Sequence, residues 1–476
     1  MKNLKNLILT LLILVVSVFT VSVSAAEKGS ITITNAENGR VYDIYKIFDL
    51  TYNGTKVAYT IDDEWENFFI GEDAPGKEYI VDSDSGDLNK ITYKGETKYI
   101  NITNSNIVEF SNKALEYARE LEADEFLTAS GAVLKFNDLD LGYYLVYPQG
   151  ATKKNDANGS IASLDSTMKD VEVAVKAKYP TLTKEITNGP TFDVGRYASF
   201  ILKGTVPDTT GFDKYTYKIF DSWTDGLSLV NGSARNFKVT IGGVEREIAP
   251  EYTENGFTLS INMKDYQTNE LIGSDVIVTY ELLVTEDAIL SEDTHNDAYL
   301  KYSTNPKTSE LKETVKEREY VYSSKLTITK IDGDDKTELP GATFVLMKGN
   351  QYYSVSEDGT VSWEDTLEAA TKYTTGEDGV ISFDGLRDGD YKLVEIEAPI
   401  GYNKLPQPVD VHVAGKVVEK QPMPVELTKI VENKTGKELP STGGFGTKLF
   451  IAIGSLLVMA SMVVLVTNKR MSKEEI

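Results

Sequence analysis

No cysteine occurs among the 476 residues, so disulfides, thiolate metal sites, iron–sulfur clusters and cysteine nucleophiles are all excluded. Only two histidines are present, His295 and His412. They leave little material for triads or metal centres, and both read as structural residues. Positive charge is also scarce: 49 Lys+Arg stand against 73 Asp+Glu, a net charge of -24. With a pI of about 4.6 and no basic stripe, binding of nucleic acid by a general basic surface is excluded. Three tryptophans and 8 methionines against 27 tyrosines suit sheet faces better than helical bundles. No Gly-x-Ser-x-Gly elbow, His-Glu-x-x-His helix or phosphate loop appears. The run Asp82 to Asp87 has its glycine one place too early for a calcium loop and lacks the distal Glu, so it reads as a solvated acidic turn. No cofactor or metal is expected, and no turnover enzyme. A hydrolase would need a clustered acid pair in a cleft, whereas the acids lie mainly in turns.

Long apolar runs occur only at the two ends. Residues 1–26 join a Lys-bearing start, an apolar stretch from Leu7 to Val23 and the small residues Ser24-Ala25-Ala26, which is a secretory signal. Near the other end Leu449 to Thr467 carries no charge, and Lys469, Arg470 and Lys473 follow. That length spans a bilayer, and the basic flank places the tail in the cytoplasm, so the bulk of the chain is exported. Leu439-Pro440-Ser441-Thr442-Gly443 stands just before the span. This order of pentapeptide, span (449–467) and basic tail over 439–476 resembles the cell-wall sorting signal of Gram-positive surface proteins. The resemblance implies that a sortase cuts after Thr442, holds its carbonyl as a thioacyl group and passes it to an amine.

The exported part consists of short alternating segments punctuated by Gly, Asn, Asp and Pro, a pattern of β-sandwich domains. Breaks near Tyr179-Pro180 and Val321 to Ser324 divide it into 27–178, 179–322 and 323–438. One helix is expected, over Ser111 to Leu121. Residues two apart in a strand share a face. That phase places Lys184 with Leu182 and Ile186, and Lys330 with Leu326 and Ile328. It also sets Asn296 with Ala298 and Leu300, Asn433 with Val431, Asp221 with Ile219, and Glu395 with Leu393. Lys, Asn and an acid at core-facing positions are the components of intramolecular amide formation. Burial favours the neutral amine and the protonated carboxyl, and attack on the carboxamide carbon expels ammonia. The pairs expected are Lys184–Asn296 with Asp221, Glu281 competing as the acid, and Lys330–Asn433 with Glu395. Phase alone favours buried ion pairs with a hydrogen-bonded Asn, or lysines snorkelling at a domain edge. The first domain offers no convincing triple.

Three sets of segments carry a wider resemblance. SITITNAENGRVYDIYKIFDL and LDLGYYLVYP resemble the N-terminal domain of backbone pilins; TLTKEI, YKIFDSWTDGLSL and HNDAYLKYSTNP resemble their isopeptide-forming second domain; LTITKID, LPGATFVLMK and YKLVEIEAPIGY, the last resembling the E-box, are similar to their collagen-binding-protein B-type (Cna-B, SpaA-like) domain. The expected fold is therefore mainly β, three tandem immunoglobulin-like or Cna-B-type sandwiches between a signal peptide and a transmembrane helix. The resemblance implies a sortase-polymerised pilus shaft subunit, with the same Lys–Asn pairings. Its implied partners are pilus-class and housekeeping sortases, further copies of itself, tip and base pilins, peptidoglycan and surface ligands of a host. A monomeric wall-anchored adhesin or accessory pilin is the alternative.

In Asp170-Val171-Glu172-Val173-Ala174-Val175-Lys176-Ala177-Lys178 the valines share one face and Lys176 takes the other, exposed just before a domain junction. The segment resembles the pilin motif, whose lysine attacks the thioacyl threonine of another subunit. Ala174-Val175 replaces the motif's Tyr-Pro and Ala177 its Asn. That departure leaves Lys178 as the competing acceptor.

Overall fold

The computed structural model describes residues 27–53, 56–83, 88–151, 160–175, 177–268, 270–435 and 445–471. The signal segment, Lys176, the pentapeptide 439–443 and most of the acidic turn at 82–87 therefore lie outside the described residues.

The described chain is mainly β and forms three successive sandwich units. In the first, a three-stranded sheet (Asp170–Val173, Lys28–Ile33, Leu134–Asp140) faces an eight-stranded sheet built around Val41–Asn53 and Gly142–Pro148. The run VYDIYKIFDL is apolar or aromatic in both phases because both faces of its strand are covered. Tyr42, Ile44 and Val146 meet Ile31, Ile33 and Phe136 of the small sheet. Tyr45, Ile47 and Leu145 meet Phe68, Phe110 and Leu115 on the opposite side. The helix supplying Phe110 and Leu115 spans Ile107–Ala118, four residues earlier than expected. Its apolar stripe begins at Phe110 and runs through Ala114 to Ala118, so Ser111 is an interior helical residue that bonds back to the Val108 carbonyl.

The second unit packs two six-stranded sheets face to face. Strand Asp275–Val284 alternates strictly, with Val276, Val278, Tyr280, Leu282 and Val284 inward. In the third unit a three-stranded sheet places the first strand, Ser324–Asp332, parallel to the last, Glu426–Asn433, with Lys330 opposite Val431 and Asp332 opposite Asn433. A six-stranded sheet carrying Gly389–Glu397 covers it. Helix Phe445–Met471 follows, and the most apolar 18 residues of its segment Lys448–Arg470 average a hydropathy of 2.7 and are not buried against the rest of the protein.

The units are joined by buried polar contacts. Between the first and second, the fully buried Arg40 donates from Nη2 to the Tyr302 hydroxyl (2.8 Å) and stacks 3.7 Å above the Tyr179 ring. Asp208, equally buried, accepts from Arg119 Nε (2.9 Å) and the Tyr147 hydroxyl (2.6 Å). Between the second and third, the strap Thr191–Gly195 leaves its own unit's sequence neighbourhood, and Val194 enters the core of the third unit. Asp193 accepts there from the Arg387 backbone N–H (2.9 Å) and Trp363 Nε1 (3.0 Å). Asp193→Ala would take the acceptor from two part-buried donors, which costs at most about 1–3 kcal/mol. We expect a lower denaturant midpoint for the third unit and new protease cleavage in the strap. An unchanged midpoint and cleavage pattern would contradict this account of the joint.

Candidate functional site: two buried lysine, acid and asparagine sets

In the second unit Lys184 comes from strand Thr183–Ile186 in one sheet, while Asp221 and Asn296 come from neighbouring strands of the facing sheet. All three side chains are buried. Lys184 Nζ donates to Asp221 Oδ2 at 2.5 Å and to the Tyr280 hydroxyl at 2.7 Å. That hydroxyl donates to Asp221 Oδ2 (2.5 Å) and accepts from Asn296 Nδ2 (2.9 Å). Tyr280 is thus the hub that holds amine, carboxyl and carboxamide together. The sequence signal for it was its inward phase with Val276, Val278 and Leu282. Glu281, one residue on, points to the outer face, where it meets Arg235 (3.5 Å) and Asn236 (3.0 Å).

Burial pushes Lys184 below the ordinary lysine range against the opposing pull of Asp221, and pushes Asp221 above the ordinary carboxylate range against the pull of Lys184. Both shifts favour the neutral amine facing the protonated carboxyl. Among the described residues Asp221 Oδ1 and Asn296 Oδ1 are buried acceptors without a donor. One proton on the carboxyl supplies a donor that these two oxygens lack.

In the third unit Lys330 and Asn433 lie on one face of adjacent parallel strands, and Glu395 reaches them from the facing sheet. Asn433 Nδ2 donates to Glu395 Oε1 (2.9 Å), whose other oxygen accepts from the Leu405 N–H (2.7 Å). Lys330 Nζ donates to the Val431 carbonyl (3.1 Å). Burial lowers its pKa to about 8, opposed chiefly by the Glu395 charge. Asn433 Oδ1 has no partner among the described residues, as in the second unit. No tyrosine plays the hub here; a backbone N–H fixes the acid instead.

Each set can close an amide. The unprotonated Nζ attacks the Asn carbonyl carbon, and the oxygen that gains charge takes a hydrogen bond from the protonated acid. The Nζ–C bond forms, the C–Nδ2 bond breaks, the proton lost from Nζ passes to the leaving nitrogen through the carboxyl, and ammonia departs. In the first unit the corresponding buried acid is Asp43, which accepts from the Gln149 amide and the Tyr45 hydroxyl and is raised to about 6 by burial. Among the described residues no lysine donates to it.

Elsewhere, strand Asp170–Val173 turns Val173 inward and Glu172 outward, Val175 beyond it is buried, and Lys178 is exposed. His295 is largely buried, its Nδ1 2.7 Å from the Asp293 carbonyl, and His412 lies on the surface beside Asp390.

Residues 324–423 match the SpaA prealbumin-like fold domain, and residues 431–473 match the LPXTG cell wall anchor motif. This is a cell-wall-anchored surface protein with a SpaA domain. Lys330 and Glu395 lie inside that SpaA domain, and Asn433 falls just past it, at the start of the anchor match. The chain is 26% identical over 263 residues to the trypsin-resistant surface T6 protein of Streptococcus pyogenes serotype M6. That alignment takes in 48% of this chain and 44% of the relative, so less than half of the relative is matched. Similar solved structures include the group B streptococcus pilus 2b backbone protein (26% identity, 54% of this chain and 99% of that one, TM-score 0.43). Another is the major pilin SpaD of Corynebacterium diphtheriae (17% identity, 86% and 98%, TM-score 0.44).

Two expectations follow from the geometry. Replacing the acid stops the transfer without removing either partner, so the parent should fall two ammonias short of its sequence mass, and Asp221→Ala and Glu395→Ala should each fall only one ammonia short of their own. Each should also lower the stability of its own unit by about 4–5 kcal/mol, the loop-entropy value for a cross-link closing roughly a hundred residues. A deficit of two ammonias retained in both variants would exclude these acids. In Asn433→Ala, Lys330 stays an amine with a pKa of about 8 when folded against the ordinary 10.5. Below about pH 8 both states hold the proton, and between the two values only the unfolded chain does. Stability should therefore climb with pH across that window, relative to the Lys330→Met, Asn433→Ala double variant. A flat difference would contradict the burial of the amine.

Proposed function

We propose that this chain is the backbone subunit of a covalently polymerised cell-surface pilus, whose second and third domains are closed by Lys184–Asn296 and Lys330–Asn433 isopeptide bonds. The observation that carries the reading is the pairing of two buried Lys, Asn and acid sets in tandem sandwiches with an LPXTG anchor behind them. The similarity to the T6 surface protein supports it. A sortase thiolate displaces the Gly443 amine from the Thr442 carbonyl, and Lys176 of a second subunit displaces the thiolate, so each transfer forms one amide for the one broken. Repetition from subunit to subunit makes an open, head-to-tail fibre. A housekeeping sortase passing the last Thr442 to peptidoglycan anchors it, and tip and base pilins cap its ends. Adhesion to host surfaces is the role such a fibre serves.

The replacement of the motif's Tyr-Pro by Ala174-Val175 favours a second reading, a monomeric wall-anchored adhesin or accessory pilin that uses Thr442 alone. Lys176→Ala should abolish the ladder of detergent-resistant polymers on the cell wall, while Lys178→Ala preserves it. The reverse pattern moves the acceptor to Lys178, and absence of a ladder from the parent strain selects the monomeric reading.

A further inference from the structure

Outside the membrane helix, Ile400 is an extreme among the exposed apolar side chains, with a relative exposure of 102%. It forms the tip of a tight turn closed by the Tyr402 N–H on the Pro399 carbonyl (3.0 Å), with Gly401 at φ +90. The turn sits where the chain leaves the third unit: Tyr402 bridges Thr435, and Asn403 N–H bonds the Lys434 carbonyl. Only six residues, 436–441, separate Thr435 from Thr442, a reach of about 25 Å when extended. Whatever is joined to Thr442 is thereby held close to Ile400.

On the first unit, a groove of about 290 Å³ opens between the start of helix Ile107–Ala118 and the end of strand Asp170–Val173. Ile107, Val108, Ile161, Val173 and Ala174 line it together with Ser111 and Ser160, Val108 being 56% exposed. Ala174 lies two residues before Lys176. Exposed Glu109 and Glu172 stand by the groove, whereas the turn is mixed in charge, with exposed Lys404 and Lys434 beside it and Tyr402 donating to Asp332 (2.6 Å).

We propose that Ile400 of one subunit seats in this groove of the next, a non-covalent knob and socket that docks the donor end on the acceptor domain. The inference rests on the polymerisation reading, since the Thr442–lysine bond is what holds the two surfaces at high effective concentration. Before the bond forms, the same contact aligns the acyl-enzyme's tail with the acceptor strand. Afterwards it removes the fibre joint's freedom to swing about a six-residue tether.

The absence of cysteine makes the test clean. Cells carrying Ile400→Cys with Val108→Cys, both at surface positions, supply wall-released polymers for treatment with a short bis-maleimide, digestion and tandem mass spectrometry. The expected result is a peptide bridging positions 400 and 108, together with the branched peptide joining Thr442 to Lys176 or Lys178. Neither single variant should yield the bridge. The branched peptide without the bridge overturns the docking and leaves the polymerisation reading intact. Absence of any branched peptide overturns both.

Discussion

An ammonium group sealed inside a sandwich core is the constraint on which the rest depends. Moving such an ion from water into protein interior costs several kcal/mol unless a partner is placed in close geometry. Lys184 and Lys330 are nonetheless fully enclosed, each facing an acid and an asparagine whose own polar atoms are incompletely matched. As three ordinary side chains the arrangement is expensive to keep. As the precursor of an amide it is consistent, because one condensation removes the amine, neutralises the acid's partner and fixes the orphaned carbonyl. The lack of cysteine fits the same picture: an exported chain can be cross-linked by bonds that reductants do not open.

Strand order decides what such bonds would do under load. Lys330 stands on the first strand of its unit and Asn433 on the last, in adjacent parallel register. A bond between them carries tension from entry strand to exit strand and leaves the sandwich outside the force path. In the second unit Lys184 is on the first strand, but Asn296 precedes the end of the unit, where Glu317–Tyr320 still pairs with His295–Ser303 through hydrogen bonds alone. The joints between units complete the rod. Asp208 at one junction and Asp193 at the other are polar groups that accept across the boundary, and Arg40 donates across the first from Nη2 while its Nε and Nη1 have no partner among the described residues.

Much of this was legible because a strand's period is two. Leu182, Lys184 and Ile186, or Leu393 and Glu395, announce a polar side chain on an apolar face without any structure, and the cross-sheet meeting follows from burial. What stayed hidden depends on tertiary placement. Tyr280 is unremarkable in phase, since an inward tyrosine looks like core, and only the facing sheet makes its hydroxyl a hub. Glu281 and Asp221 were separable only once the sheet showed which face each takes. Val194 reads as part of the second unit, yet its strap docks on the third, because a linker's direction is not written in its periodicity. The helix began earlier than its capping-type serine suggested, since Phe110 supplies the first buried turn.

The central claim is that each lysine is bonded to its asparagine. Digestion of the mature protein followed by tandem mass spectrometry tests it directly. The account predicts branched peptides joining Lys184 to Asn296 and Lys330 to Asn433, each lighter than the sum of its parts by one ammonia. Linear peptides carrying unmodified Lys184 and Lys330 in quantitative yield would contradict it.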